Sequence, residues 1–206
     1  MLPGGIIGEE RGSVIKAPAL ALLLSGLRSI ATSGSLNYNP RRAMELFSIG
    51  HSNAEINAFI DLLRRYEIVA LIDTRSQPYS RYSQHFSREP LQQTLEEAGI
   101  EYVYLGKEIG GRPEDPNLYF QSGKVNYQMV AQSPIYLAGI ERLLALASGR
   151  RVAFMCAEAD YKNCHRYWLI TRTLTERGIE VRHILHSGDA VVSEASEFEP
   201  AQPSLF

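Results

Sequence analysis

Side chains able to do chemistry gather at four places in the chain: His51-Ser52, Asp73 and Arg75 with Ser80-Arg81 behind them, Cys156 with Glu158, and Cys164-His165-Arg166. Asp73 and Arg75 stand two residues apart, so on a strand they share a face. Such a pair is either an ion pair that fixes the end of a sheet or an anion-binding guanidinium held by its acid. Arg81 and Arg166 add two more forks for carboxylate or phosphate. Asp73 and Glu158 are the candidate general acid and base, a role that needs a pKa raised toward neutrality. His51, Ser52 and Ser80 complement the arginines as candidate binding residues.

The two cysteines read differently from one another. Cys156 closes the apolar run Val152–Met155, where a free cysteine is commonly a small buried hydrophobe. Cys164 reads as a helix start capped by Asn163, beside His165 and Arg166. A helix N-terminus and nearby cations lower a thiol pKa, so Cys164 or Cys156 is the nucleophile if the reaction is covalent. Cys156, Cys164 and His165 also have the chemistry of metal ligands, with His51 or Glu158 as an assumed fourth. Their spacing matches none of the usual zinc knuckles, so no metal site is assigned and the cofactor is left unknown. A rhodanese-like or phosphatase-like anion loop is disfavoured, because Glu158 and Asp160 after Cys156 would repel the substrate. There is no Walker A segment and no dinucleotide glycine fingerprint. Gly110-Gly111 reads as a turn, and His183 and His186 as packed or surface histidines.

The elements that must position these residues alternate from Leu46 to Leu185. Short apolar strands are expected at 46–50, 68–72, 102–105, 152–155 and 181–185. Helices follow at Ile56–Leu63, Leu91–Ala98, Ile135–Ala147 and around Trp168–Leu174. Ser52 with Glu55 fits a capping box, and Ser133-Pro134 fit a cap and first turn. Gly99-Ile100-Glu101 and Gly178-Ile179-Glu180 look like matching helix exits. Strand–helix alternation argues a three-layer α/β domain with a mainly parallel sheet of about five strands and flanking helices. All four reactive clusters then fall at strand carboxyl ends, where open α/β sheets bind ligands. Two long connections, 76–87 and 106–132, leave the same edge and are candidate walls or lids. Their tyrosines and Phe86 and Phe120 either stack a base with Arg81 or fasten the loops to the domain.

The chain has 206 residues, 45% hydrophobic and 21% charged, enough for one well-packed domain. A net charge of −2 excludes a nucleic-acid binder held mainly by bulk charge. Two cysteines fit a reduced, cytoplasmic protein rather than a disulfide scaffold. No apolar run reaches the roughly 18–20 residues that span a membrane, so no membrane association is expected. Residues 1–43 read as a poorly structured leader, with Met44 as a candidate true start. The single α/β domain is expected over 44–186. Residues 187–206, acidic and without Lys or Arg, read as a mobile tail.

Several stretches together carry a family resemblance: FSIGHSN (47–53), LIDTRSQPYSR (71–81), His85-Phe86, GIEYVYLGKEIGGRP (99–113), MCAE (155–158), NCHR (163–166) and GIEVRHI (178–184). The chain resembles the prokaryotic family labelled "domain of unknown function 488". The resemblance implies an α/β fold and a site built from Asp73, Arg75, Ser80, Arg81, Cys156, Glu158, Cys164, His165 and Arg166. It implies no settled activity. Thr74 departs from the family, which usually has valine there, and is expected not to touch the site.

The expected function is an enzyme, a hydrolase or transferase, acting on a small anionic and nucleotide-like or phosphate-containing substrate. The alternatives are a non-catalytic sensor of an anionic ligand, and a structural metal-binding domain. The fold supports many functions and does not choose among them.

Overall fold

The computed structural model describes residues 44–198; the leader at 1–43 and the last residues, 199–206, lie outside the described residues. The first strand, β1 (Leu46–Gly50), is followed by α1 (Ile56–Arg65) and β2 (Ala70–Asp73). Next come α2 (Arg88–Glu97) and β3 (Glu101–Tyr104). The long connection after β3 holds α3 (Gly106–Ile109) and α4 (Tyr127–Gln132), and runs into α5 (Pro134–Ala147). Strand β4 (Val152–Cys156) leads through a π-helical stretch (Arg166–Thr171) into α6 (Arg172–Glu176). Strands β5 (Val181–Ile184) and β6 (Ala190–Ser193) end the sheet.

The strands lie in the order β3-β2-β4-β1-β5-β6. All pairings are parallel except β5 with β6. Alternation along each strand separates two cores. Leu46, Ala70, Ile72, Val152, Phe154 and Val181 face α5, the π-helical stretch and α6. Phe47, Ile49, Leu71, Ala153 and Met155 face α1 and α2. A strand with both faces covered must be apolar throughout, which is why β1, β2 and β4 lack the polar alternation of a half-exposed strand. Three layers follow, as the alternation of elements predicts.

Local signals place the helices. Ser133 accepts the N–H of Tyr136 at the start of α5, with Pro134 in the first turn. The two exits are alike, as expected. Gly99 and Gly178 both sit at φ +75°, and Ile100 and Ile179 close back onto the carbonyls of Leu95 and Leu174. This is the glycine-ended helix stop that L-residues with a Cβ adopt at a cost. The capping box expected at Ser52 does not form. Glu55 takes the cap position without a side-chain bond, and Ser52 sits at φ 46°.

The sheet is one strand larger than expected. Residues 190–193, assigned to the acidic tail, pair with β5 as an antiparallel edge, and a short 3-10 turn (Ala195–Phe198) follows. Phe198 is buried against Tyr167, and Glu197 accepts the Tyr167 hydroxyl at 2.9 Å. These contacts hold the segment on the domain. Among the described residues no helix is long and apolar enough to cross a membrane.

His183 ties three strands together. Its Nδ1 lies 2.6 Å from Ser48 Oγ of β1, its Nε2 lies 3.1 Å from Ser193 Oγ of β6, and Tyr161 stacks on its ring. Burial, then the Arg166 charge, lowers its pKa to about 3 from 6.5. The unfolded chain therefore binds this proton first as pH falls. The contribution of His183 is complete above about pH 6.5 and is lost as pH falls toward 3. Chemical denaturation should show the protein weaker by about 2.5 kcal/mol at pH 4.5 than at pH 7 from this residue alone. His183→Gln should flatten that slope; an unchanged slope would contradict the assignment.

Candidate functional site

Strand β1 sends its chain to β2 on one side, and β4 sends its chain to β5 on the other. Between these adjacent strands the connections diverge, and a crevice opens at their carboxyl ends. A cavity of about 460 Å³ lies there. His51, Cys156 and Glu158 line it from the two strand ends, and Cys164 and His165 from the turn before the π-helical stretch. Arg75, Ser76 and Ser80 line it from the loop after β2, and Gly111 and Arg112 from the long connection after β3. The sheet ladder continues past β1, with His51 N–H bonded to Cys156 C=O at 3.1 Å, so the first and third clusters are clamped side by side.

Asp73 and Arg75 form a bidentate pair. Arg75 Nε donates to Asp73 Oδ1 at 2.9 Å and its Nη2 to Oδ2 at 2.6 Å. The Arg75 backbone N–H and the Tyr102 hydroxyl also donate to this carboxylate. Burial, then the Asp73 charge, raises the Tyr102 pKa, so the phenol keeps its proton. Arg75 Nη1 donates to His51 Nε2 at 3.2 Å, and His51 Nδ1 donates to the Ser52 carbonyl at 2.8 Å. Burial, then Arg75, lowers His51 to about 4. The ring is thus neutral, and it stacks on Phe86 with centroids 4.3 Å apart. Asp73 is fully buried behind the cavity, and its proximal role is to aim Arg75.

Cys156, Cys164 and His165 form one cluster in the cavity lining. Both sulfurs lie 3.5 Å from His165 Nδ1. All three donor atoms lie within 4.8 Å of one another, a grouping able to hold a metal ion. Both thiols are free. A hydrogen bond from Cys164 lowers the Cys156 thiol to about 7 against burial, with help from Arg166 and the Glu158 and Ala157 amides. The same shared proton, with burial, pushes Cys164 up to about 12. The far side of His165 is held by Thr74. Nε2 lies 3.1 Å from the Thr74 carbonyl and 3.1 Å from Thr74 Oγ1, and that hydroxyl donates to Met155 C=O at 2.8 Å. Thr74 therefore does touch the site. It follows Asp73 by one residue, so its side chain turns to the opposite face, where His165 sits.

Other expected positions fall differently. Asn163 does not cap the helix; His165 takes the cap position without a side-chain bond, and Cys164 before it accepts the Arg166 N–H on Sγ at 3.4 Å and the Tyr167 N–H on its carbonyl. Arg166 does not line the cavity. It is 1% exposed, its Nη2 donates to the Glu158 carbonyl at 2.6 Å, and its Nη1 reaches Ser48 Oγ at 3.4 Å. Arg81 is exposed and Ser52 half-buried, and neither lines the cavity. Ser80 lines it while its Oγ accepts the Ser83 N–H. Arg112 was missed as a site residue. Its signal lay in Gly110-Gly111-Arg112: a Cβ at Gly111 would stand 2.8 Å from His165 Cγ, so only glycine lets this loop carry Arg112 over the cluster.

Fold and site define a three-layer α/β protein with a cysteine–histidine cluster at the carboxyl edge of a parallel sheet. The chain belongs to the family described as domain of unknown function DUF488, whose model matches residues 55–173. The match spans α1 through the helix after His165, including every cavity-lining residue named above except His51. No curated protein and no solved structure matches the chain.

The Asp73–Arg75 pair yields a stability test. Asp73→Asn leaves a buried guanidinium without its counter-charge and should cost about 3–5 kcal/mol in chemical denaturation. Replacing both, Asp73→Leu with Arg75→Met, should cost less than Asp73→Asn alone. A larger loss in the double variant would contradict this.

Proposed function

We propose that the protein is an enzyme that holds a small anionic substrate in this cavity and carries out hydrolysis or group transfer on it at the Cys156–Cys164–His165 cluster. The observation that supports this most is that the cluster lines the same cavity as Arg75 and Arg112. Arg75 uses three of its five N–H groups on Asp73 and His51, which fixes its plane and leaves two donors for an anion. Arg112 is exposed and free to swing over a bound phosphate or carboxylate. Glu158 also lines the cavity and in this reading is the group that moves a proton. His51, held neutral, adds a ring edge without charge. Two free, closely spaced thiols fit the reducing environment of the cytoplasm. An acid beside the anion donors favours turnover over simple sensing, because a pure binder gains nothing from it.

The test combines binding and turnover. Inorganic phosphate and nucleoside monophosphates are titrated by calorimetry, and phosphorylated compounds are screened for hydrolysis or transfer. Arg112→Ala should weaken binding about tenfold or more, the loss of one charge-assisted hydrogen bond. Glu158→Gln should keep affinity and lose turnover. If wild type binds but turns nothing over, and Glu158→Gln is indistinguishable from it, the sensor reading replaces this one. Full activity in both variants would refute the site assignment.

A further inference from the structure

We infer that Cys156, Cys164 and His165 are the three protein ligands of a divalent transition-metal ion, of the zinc or ferrous class, with its fourth position open to the cavity. The ligand set stands on geometry alone; the catalytic use of the open position rests on the reading of the cavity as a substrate site. The neighbours of His165 fix its tautomer. Nε2 faces the Thr74 carbonyl and Thr74 Oγ1, and that hydroxyl has already given its hydrogen to Met155 C=O. Both neighbours offer lone pairs, so Nε2 carries the ring hydrogen and Nδ1 carries the free lone pair. That lone pair faces two sulfurs at 3.5 Å each. One lone pair accepts one thiol hydrogen. A cation between the three atoms engages all of them.

The separations fit such an ion. Tetrahedral bonds of about 2.3 Å to sulfur and about 2.05 Å to nitrogen put the S···N edge at roughly 3.6 Å. Both observed S···N separations are 3.5 Å. The outer contacts are those a metal site needs. The His165 ring N–H ends on a backbone carbonyl, which fixes the ring, and a backbone N–H points at Cys164 Sγ. Two thiolates neutralise a divalent ion, and sulfur with imidazole selects zinc, iron or cobalt over magnesium or calcium.

The expected fourth ligands do not serve. His51 has both ring nitrogens engaged, one by Arg75 and one by the Ser52 carbonyl. Glu158 stands outside the ligand group. Among the described residues the group has three members, and all three line the cavity. Three protein ligands with one open position is the arrangement of catalytic rather than structural zinc. The spacing Cys156 to Cys164-His165 resembles no zinc knuckle because the ligands come from a strand end and a helix start, not from one turn.

Cobalt is the probe. Reduced, chelator-stripped protein is titrated anaerobically with Co²⁺. One equivalent per chain should produce the thiolate-to-cobalt charge-transfer band and the visible bands of tetrahedral cobalt, and Zn²⁺ should displace both. Cys164→Ser and His165→Asn should weaken binding about 100-fold or more, beyond what outer-shell losses cost. Glu158→Gln should leave stoichiometry and spectrum unchanged. Should the variants fail to fold, the wild type suffices: Zn²⁺ should protect both cysteines from alkylation, read as intact mass. No cobalt binding by folded protein, thiolate bands that survive Cys164→Ser, or alkylation unaffected by Zn²⁺ would each overturn the inference. Phosphate binding that depends on Arg112 in a protein that takes up no cobalt would sink the metal and spare the cavity reading. Cobalt uptake with no anion bound would do the reverse.

Discussion

A positive charge buried without a carboxylate sets the terms for the carboxyl edge of this sheet. Arg166 is almost wholly enclosed, and among the described residues its partners are a carbonyl and a serine hydroxyl, with no acid and none for its Nε. A cation so placed is expensive unless negative charge lies near. What lies near is sulfur: Arg166 helps lower the Cys156 thiol, and it adds to the burial that keeps His183 neutral. The contrast with Arg75 is informative. That guanidinium is also buried, but Asp73 answers it with both oxygens. One arginine is thereby neutral with its partner and usable as a rigid wall. The other adds to the hydrogen bond from Cys164 in lowering the Cys156 thiol.

Topology delivers Arg75 and the cysteine cluster to one crevice. Adjacent strands β1 and β4 send their chains to opposite sides, and the ends of β1, β2 and β4 supply His51, Arg75 and Cys156. At the start of the π-helical stretch Arg166 turns to Ser48 of β1 and the Glu158 carbonyl, while Cys164 and His165 before it line the cavity. Wide turns of this kind recur at functional sites. The long connection after β3 contributes a second arginine, Arg112, to the cavity lining.

Much of this was legible in the residues. Continuous apolar runs gave the buried strands, and the paired Gly-Ile-Glu exits gave two helix ends. The rule that ligands bind at strand carboxyl ends brought His51, Arg75, Cys156, Glu158, Cys164 and His165 together before any coordinates. What failed did so for physical reasons. Strand β6 is four residues long, antiparallel and at an edge, and its Ala-Val-Val core was masked by surrounding acids. Glu197 looked solvated because its partners, Tyr167 and Lys162, are remote in sequence. Arg166 looked like an anion ligand because type and position do not reveal which way a side chain turns from a helix start. Thr74 was set aside because alternation beyond the end of a strand is invisible without the strand's exact end. Arg112 was hidden because its place depends on Gly111 packing against His165.

A cysteine–histidine centre at the edge of the sheet, proposed to hold a metal ion at the cavity, joins these features. Native mass spectrometry of full-length protein, grown with added zinc and purified without chelator, tests it most directly. The account predicts a native mass above the polypeptide by one metal ion less the two thiol protons it displaces, returning to the bare polypeptide on denaturation. A native mass equal to the bare polypeptide would contradict it.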